Sequence, residues 1–459
     1  MVKNILVGCI SCAAAISGFI FVQTYMEGKE PKESILATVA SAVKGTSTVK
    51  IAEIEKPLVE HVLPPKNLKA IYMTSWVAGT PSLRDGLIQL LDTTEANAVV
   101  LDIKDYTGKV SFKTGNPNID NGSCVEERIK DIKSLIKTLH DKNIYVIGRV
   151  SVFQDPCFVE KHPEVAVKRM SDGGVWKDKK GLSWVDMSSE VAWKYVVDIA
   201  KTSYELGFDE INFDYVRFPS DGDMKNIKYL SGDTPKPQVF KKFFTYLDTE
   251  LRGGKGEFTP LVEVGTSTPA FEEKKMNSGM TMTIAKHLKG TAKDPVFDEY
   301  WSLVHSTSSS WVNKREEAIE SKRGAGRLIT SADLFGMVTT QPDDLGIGQI
   351  LEYALPFVDY IYPMVYPSHY PANWNGFKNP AAYPYEVVHI SMKQAAERAE
   401  AIGLSRKKLM PWIQDFDLGA EYTADMVRTQ FKAAYDNNLD GWLIWNASNK
   451  YTKAALKSE

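Results

Sequence analysis

The chain has 459 residues, 43% of them hydrophobic, and a formal net charge of −3. That is ample for a large core in one barrel-sized unit or in two or three domains, and the balanced charge offers no basic field for nucleic acid. Seven scattered histidines show no H-x-H or H-E-x-x-H spacing, and no phosphate loop, G-x-S-x-G elbow or dinucleotide fingerprint occurs. Zinc hydrolysis, phosphoryl transfer and serine hydrolysis therefore lack support, and the residues call for no metal and no cofactor.

Near the N-terminus, Ile5 to Val22 carry no charge and are almost entirely apolar. Their length is near the lower limit for a spanning helix. Residues 1–26 are expected to be an uncleaved transmembrane anchor, with a cleavable signal segment as the alternative. Either one exports the rest of the chain, membrane-anchored or secreted. Residues 27–66, rich in Lys, Glu, Thr and Ala and containing Pro31, Pro57, Pro64 and Pro65, read as a linker. Beyond them, export permits a bridge between Cys124 and Cys157, but two packed thiols fit equally well.

From Lys69 onward, apolar runs alternate with amphipathic ones. Strand candidates lie at 69–76, 98–105, 144–153, 210–219, 326–336, 358–367, 408–416 and 441–448. Helical patterns at 125–143 and 188–208 separate early pairs, the second opened by a cap at Ser188 or Ser189 with Glu190 behind it. Eight strand–helix alternations imply parallel strands closed into a (β/α)8 TIM barrel, set at 67–455. A doubly wound sheet fits less well without a Gly-rich first turn. One interval is long. After a helix at 237–251, a Ser/Thr/Gly-rich stretch leads to a further helix at 313–322, so 253–325 reads as an insertion between strands four and five.

Both faces of a parallel barrel strand are covered, so a polar parity has to point into the lumen or its upper mouth. Asp102 and Lys104 on strand two, Arg149 on strand three, Asn212 and Asp214 on strand four and Asp333 on strand five share that placement. Arg217 follows Asp214 closely. Tyr366 and His369 end strand six, Trp412, Gln414 and Asp415 strand seven, and Trp445 and Asn446 strand eight. A single buried Asp is more often a structural ion, but convergence from several strands favours a site, and the aromatic rings suit sugar faces.

Carboxylates, an arginine, amides and aromatic rings describe a glycosidase site. Asp214, with Arg149 or Arg217 beside it, suits the ionised member of a catalytic pair, and buried Asp333 suits the protonated one. Adjacent strands lie about 4.8 Å apart, which is compatible with the roughly 5–5.5 Å carboxyl separation of retaining enzymes.

The blocks "VVLDIKDYTGKVSF", "EINFDYVRFPSDG", "SADLFG", "DYIYPMVYPSHY", "MPWIQDF" and "GWLIWNASNKYT" resemble a bacterial family of glycosyl hydrolase-like barrels distantly related to the α-amylase-like hydrolases. The resemblance covers roughly 68–452 outside 253–325. It implies a TIM barrel, glycosidase activity, a nucleophile at Asp214 and an acid/base on strand five, where amylases usually carry Glu and this chain has Asp333. The expected substrate is a cell-envelope or extracellular polysaccharide or oligosaccharide. The rival readings are a non-catalytic carbohydrate-binding barrel and a structural envelope protein with a polar lumen.

Overall fold

The computed structural model describes residues 59–122, 124–254, 271–275, 281–285 and 327–457, all within the compact unit Val59–Glu459. The anchor at 1–26, most of the linker and the helix expected at 313–322 lie outside the described residues. Among the described residues no helix is long and apolar enough to cross a membrane.

Eight parallel strands close a barrel: β1 Leu68–Met73, β2 Ala98–Lys104, β3 Tyr145–Ser151, β4 Glu210–Asp214, β5 Ile329–Phe335, β6 Tyr360–Met364, β7 Trp412–Gln414 and β8 Gly441–Trp445. Each pairs with its neighbour in sequence, and β8 closes on β1 with Gly441 opposite Leu68. The longer helices are α1 Pro81–Asp92, α2 Ile132–His140, α3 Glu190–Leu206, α4 Lys236–Arg252, α5 Pro384–Ala401 and α6 Ala424–Asp436. β5 and β6 are joined by a 3-10 turn at Gly336–Thr339, the four-residue helix Leu351–Ala354 and a second 3-10 turn at Leu355–Phe357. This is the parallel barrel that the alternating pattern leads one to expect.

Parity on the strands divides two cores. Val99, Leu101, Val146, Ile211, Phe213 and Leu334 face outward and pack with Leu135, Ile136, Val196 and Phe243 of the helices. Each such side chain, fully buried, contributes about 1.5–3 kcal/mol. Ala70, Tyr72, Val100, Tyr145, Ile147, Tyr362 and Trp412 fill the lumen. The lumen is thus packed, and polar groups gather towards its upper end.

Local chemistry sets the helix bounds. Ser189 caps α3 by accepting from Ala192 N at 3.3 Å, and Gly207 ends it at φ 118°. α2 starts later than its apolar period suggests, because Glu126 N and Cys124 O are engaged by Val110, which holds this stretch as an extended bridge. Cys124 is bonded to Cys157, resolving the two open alternatives as a disulfide. Within the insertion, Phe271–Lys275 pairs antiparallel with Thr281–Ala285.

One irregularity bears on the mouth. Asp102 stands opposite Arg149 but Lys104 stands opposite Val150, so β2 carries one extra residue there. Such a bulge puts two successive side chains on one face. Ile103 joins the outer core, and Lys104 follows it outward.

Candidate active site

Four charged side chains from four adjacent strands meet at the C-terminal end of the lumen. Asp102 of β2, Arg149 of β3, Asp214 of β4 and Asp333 of β5 are all buried. Arg149 is the hub. Its Nη1 donates to Asp102 Oδ1 at 2.7 Å, its Nε donates to Asp214 Oδ2 at 3.0 Å, and Nη2 donates to that same oxygen. Asp333 Oδ2 lies 4.0 Å from Nε. Register explains the reach: Asp102 and Asn212 flank Arg149 directly, and Asp214 sits one lumen-facing step higher on β4.

The carboxyl groups differ in surroundings. Asp214 accepts from Arg149 and, through Oδ1, from Tyr215 N at 2.6 Å. Asp102 accepts from Tyr72 Oη at 2.6 Å as well as from Arg149. Asp333 accepts on Oδ1 from Trp412 Nε1 at 2.8 Å and from Asn212 Nδ2 at 3.0 Å. Burial raises Asp333 well above the usual carboxyl range, and the charge of Asp214 raises it further against the pull of Arg149. Burial also raises Asp102, opposed by Arg149 and Tyr72. For Arg149, burial works against the cation, but Asp214 and Asp102 more than offset it and hold the guanidinium firmly protonated.

Below this layer lies a second carboxyl network. Glu210 accepts from Tyr362 Oη at 2.7 Å, Tyr145 Oη at 3.0 Å and Ser331 Oγ. Asn212 donates to both Ser331 Oγ and Asp333 Oδ1 at 3.0 Å, which links the two networks. Burial pushes the Glu210 carboxyl up to about 7. It shares parity with Asn212 and Asp214, and that alternation is the signal in the sequence that points to it.

Aromatic rings surround the upper layer. Trp445 stacks on Tyr72 with centroids 4.1 Å apart, and the Arg149 guanidinium lies 5.3 Å and 5.6 Å from these two rings. Tyr366 lies beside Trp445 at 6.5 Å, and the exposed ring of His369 meets Tyr366 edge-on at 5.4 Å. Tyr215, directly after Asp214, has φ 53°. A bulky side chain in that left-handed region costs on the order of 1–3 kcal/mol, the kind of strain that clusters at functional sites. Its ring and that of Trp184 border the Arg217 guanidinium at 5.6 Å and 4.8 Å.

Other expected site residues lie elsewhere. Lys104, turned outward by the bulge, is fully buried against Asp155 Oδ2 at 2.5 Å, beneath Tyr195 of α3. Gln414 accepts from Ser368 N at 3.1 Å and donates to Phe416 O at 2.8 Å, bracing two loops. Asp415 accepts from Thr452 N and Oγ1 at 2.8 Å and 2.7 Å. Asn446 holds its own turn through Ser448 and Lys450. Trp412 is fully buried and presents its N–H to Asp333. The cluster therefore brings together Asp102, Arg149, Asn212, Asp214, Asp333, Trp412 and Trp445, with Tyr366, His369 and Arg217 around it. It leaves out Lys104, Gln414, Asp415 and Asn446. Tyr72, Glu210, Tyr215 and Trp184 complete the surroundings.

The buried carboxyl cluster stands at the C-terminal end of a parallel barrel, the place where barrel enzymes carry their chemistry. The chain is a member of the family described as "Putative glycosyl hydrolase domain", whose model matches residues 70–262 and 270–451. No curated relative matches it. Among solved structures, it is similar to a hypothetical protein from Ruminiclostridium thermocellum, with 37% identity over 38% of this chain and 90% of that one and a TM-score of 0.36. It is also similar to the PgaB (BpsB) glycoside hydrolase domain from Bordetella bronchiseptica, with 12% identity over 83% and 94% of the two chains and a TM-score of 0.48. A third likeness is the spore cortex-lytic enzyme SleL from Bacillus megaterium, with 8% identity, 87% and 74% coverage and a TM-score of 0.40.

Proposed function

We propose that the protein cleaves glycosidic bonds in a cell-envelope or extracellular polysaccharide by double displacement, with Asp214 as nucleophile and Asp333 as general acid/base. One observation carries this reading: two unlike carboxyl groups flank a single guanidinium nitrogen. Arg149 Nε lies 3.0 Å from Asp214 Oδ2 and 4.0 Å from Asp333 Oδ2, which bounds the separation of those oxygens at about 7 Å. The bound admits the roughly 5–5.5 Å of retaining enzymes. A second carboxyl group this close to Asp214 favours catalysis over a purely carbohydrate-binding barrel.

In the first step Asp214 attacks the anomeric carbon while Asp333 gives its proton to the departing oxygen, leaving a glycosyl ester on Asp214. In the second, Asp333 takes a proton from water, whose oxygen displaces Asp214 and restores the starting configuration. Arg149 keeps Asp214 supplied with donated hydrogen bonds, and burial keeps the proton on Asp333. Tyr72, Trp445 and Tyr366 offer ring faces for the sugar. Asp333 is only 2% exposed, so substrate access requires rim side chains such as Tyr366 to shift.

The Cys124–Cys157 disulfide supports an oxidising, extracytoplasmic location, in keeping with the apolar segment at 5–22 as an anchor or export signal. The test of the chemistry is release of reducing ends from envelope and secreted polysaccharides by the wild type and by Asp333→Asn. The expected result is turnover of at least one glycan and a loss of about 10²–10⁴-fold in the variant, smaller on aryl glycosides whose leaving group needs no proton. Equal losses on both substrate types would remove Asp333 from the acid role.

A further inference from the structure

Arg217 stands apart from the other arginines. Among the described residues nine others (Arg84, Arg128, Arg149, Arg169, Arg252, Arg327, Arg398, Arg406 and Arg428) each have a carboxylate within 4.0 Å. Arg217 has none. Its Nη1 donates to Phe218 O at 3.1 Å and Ser220 Oγ at 3.2 Å, and no described residue accepts from Nε or Nη2. Its guanidinium sits among three rings: Trp184 at 4.8 Å, Phe335 at 5.0 Å and Tyr215 at 5.6 Å. Asp214, Asp221 and Asp178 act on it only at longer range.

Removing a cation from water is costly, and ring faces offset only part of that cost. An anion supplied from outside would offset much of the rest. The two unengaged nitrogens of a planar fork match two oxygens of a carboxylate, sulfate or phosphate. Its position also matters: Arg217 is three residues beyond Asp214 and only partly buried at the mouth.

We propose that Arg217 recognises an anionic substituent (carboxylate, sulfate or phosphate) on the saccharide bound at the barrel mouth, so that the substrate class is an acidic glycan. This rests on the glycosidase reading above for the identity of the ligand as a sugar. The alternative is that Arg217 is a structural plug among aromatic rings, which gives no preference between charged and neutral sugars.

Isothermal titration with glucose, glucuronate, glucose 6-sulfate and glucose 6-phosphate separates these outcomes. The proteins are the wild type, Arg217→Gln and Arg217→Lys, each checked for folding by circular dichroism. At least one anionic sugar should bind the wild type roughly tenfold or more tightly than glucose, as a charge-assisted hydrogen-bond pair implies. Whether glucuronate or a tetrahedral anion binds best identifies the substituent. The preference should vanish in folded Arg217→Gln and survive in reduced form in Arg217→Lys, which keeps the cation without the fork. Equal binding of glucose and the anions, no binding of any of them, or a preference that persists in Arg217→Gln would each overturn the proposal. The glycosidase reading fails on different data, namely absence of turnover in the wild type. An anionic preference without turnover would uphold Arg217 and sink the enzyme.

Discussion

Arg149 joins Asp214 to Asp102: its Nε donates to Asp214 Oδ2 at 3.0 Å and its Nη1 to Asp102 Oδ1 at 2.7 Å. One buried cation from β3 thus bridges carboxyl groups on the strands to either side. Removing one partner of a buried ion network leaves uncompensated charge and costs about 3–5 kcal/mol. Arg149→Met should lower unfolding free energy in urea by that order, and Arg149→Lys by less, since a cation remains. A melt of Arg149→Met indistinguishable from wild type would mean that the carboxyl groups do not depend on this pairing.

The hydrogen bond from Trp412 Nε1 to Asp333 favours the ionised form of that carboxyl. Removing the donor in Trp412→Phe therefore favours the protonated form and raises the Asp333 pKa further. If Asp333 must be protonated to act, the alkaline limb of kcat/KM against pH moves to higher pH in this variant. A limb that stays put, or moves down, assigns the alkaline titration to another group.

Glu210 gives a stability prediction with a definite sign. Its folded value, about 7, lies above the ordinary 4.5, so the folded state holds an extra proton between these values. Its contribution is fully present below pH 4.5 and is lost as pH rises towards 7, on the order of 3 kcal/mol across the window. Glu210→Gln keeps an acceptor for Ser331 and Tyr362 and does not titrate. The variant should lose this part of the decline in stability between pH 4.5 and 7, measured by urea unfolding at several pH values. An unchanged slope would show that Glu210 titrates at its ordinary value.

The fold was legible because each strand carries apolar residues on one parity and the helices between strands have their own period. Asp102, Arg149, Asp214 and Asp333 were legible for a related reason: a polar parity on a strand covered on both faces has to enter the lumen. Lys104 defeated the same logic, since one extra residue at Ile103 turns it outward, and alternation carries no mark of a bulge. β7 and β8 end at Gln414 and Trp445, so Asp415 and Asn446 fall in the loops beyond and brace them. Helix α2 begins at Ile132 because Val125 pairs with Val110, a contact between loops that no local pattern announces.

The central claim is that Asp214 is the nucleophile, and Asp214→Asn tests it most directly. Turnover of a glycan hydrolysed by the wild type is measured together with binding of that glycan and the circular dichroism spectrum. Loss of turnover by at least about 10³-fold, with fold and binding retained, is the expected result. Turnover at the wild-type level in folded Asp214→Asn would contradict the claim and remove Asp214 from the mechanism.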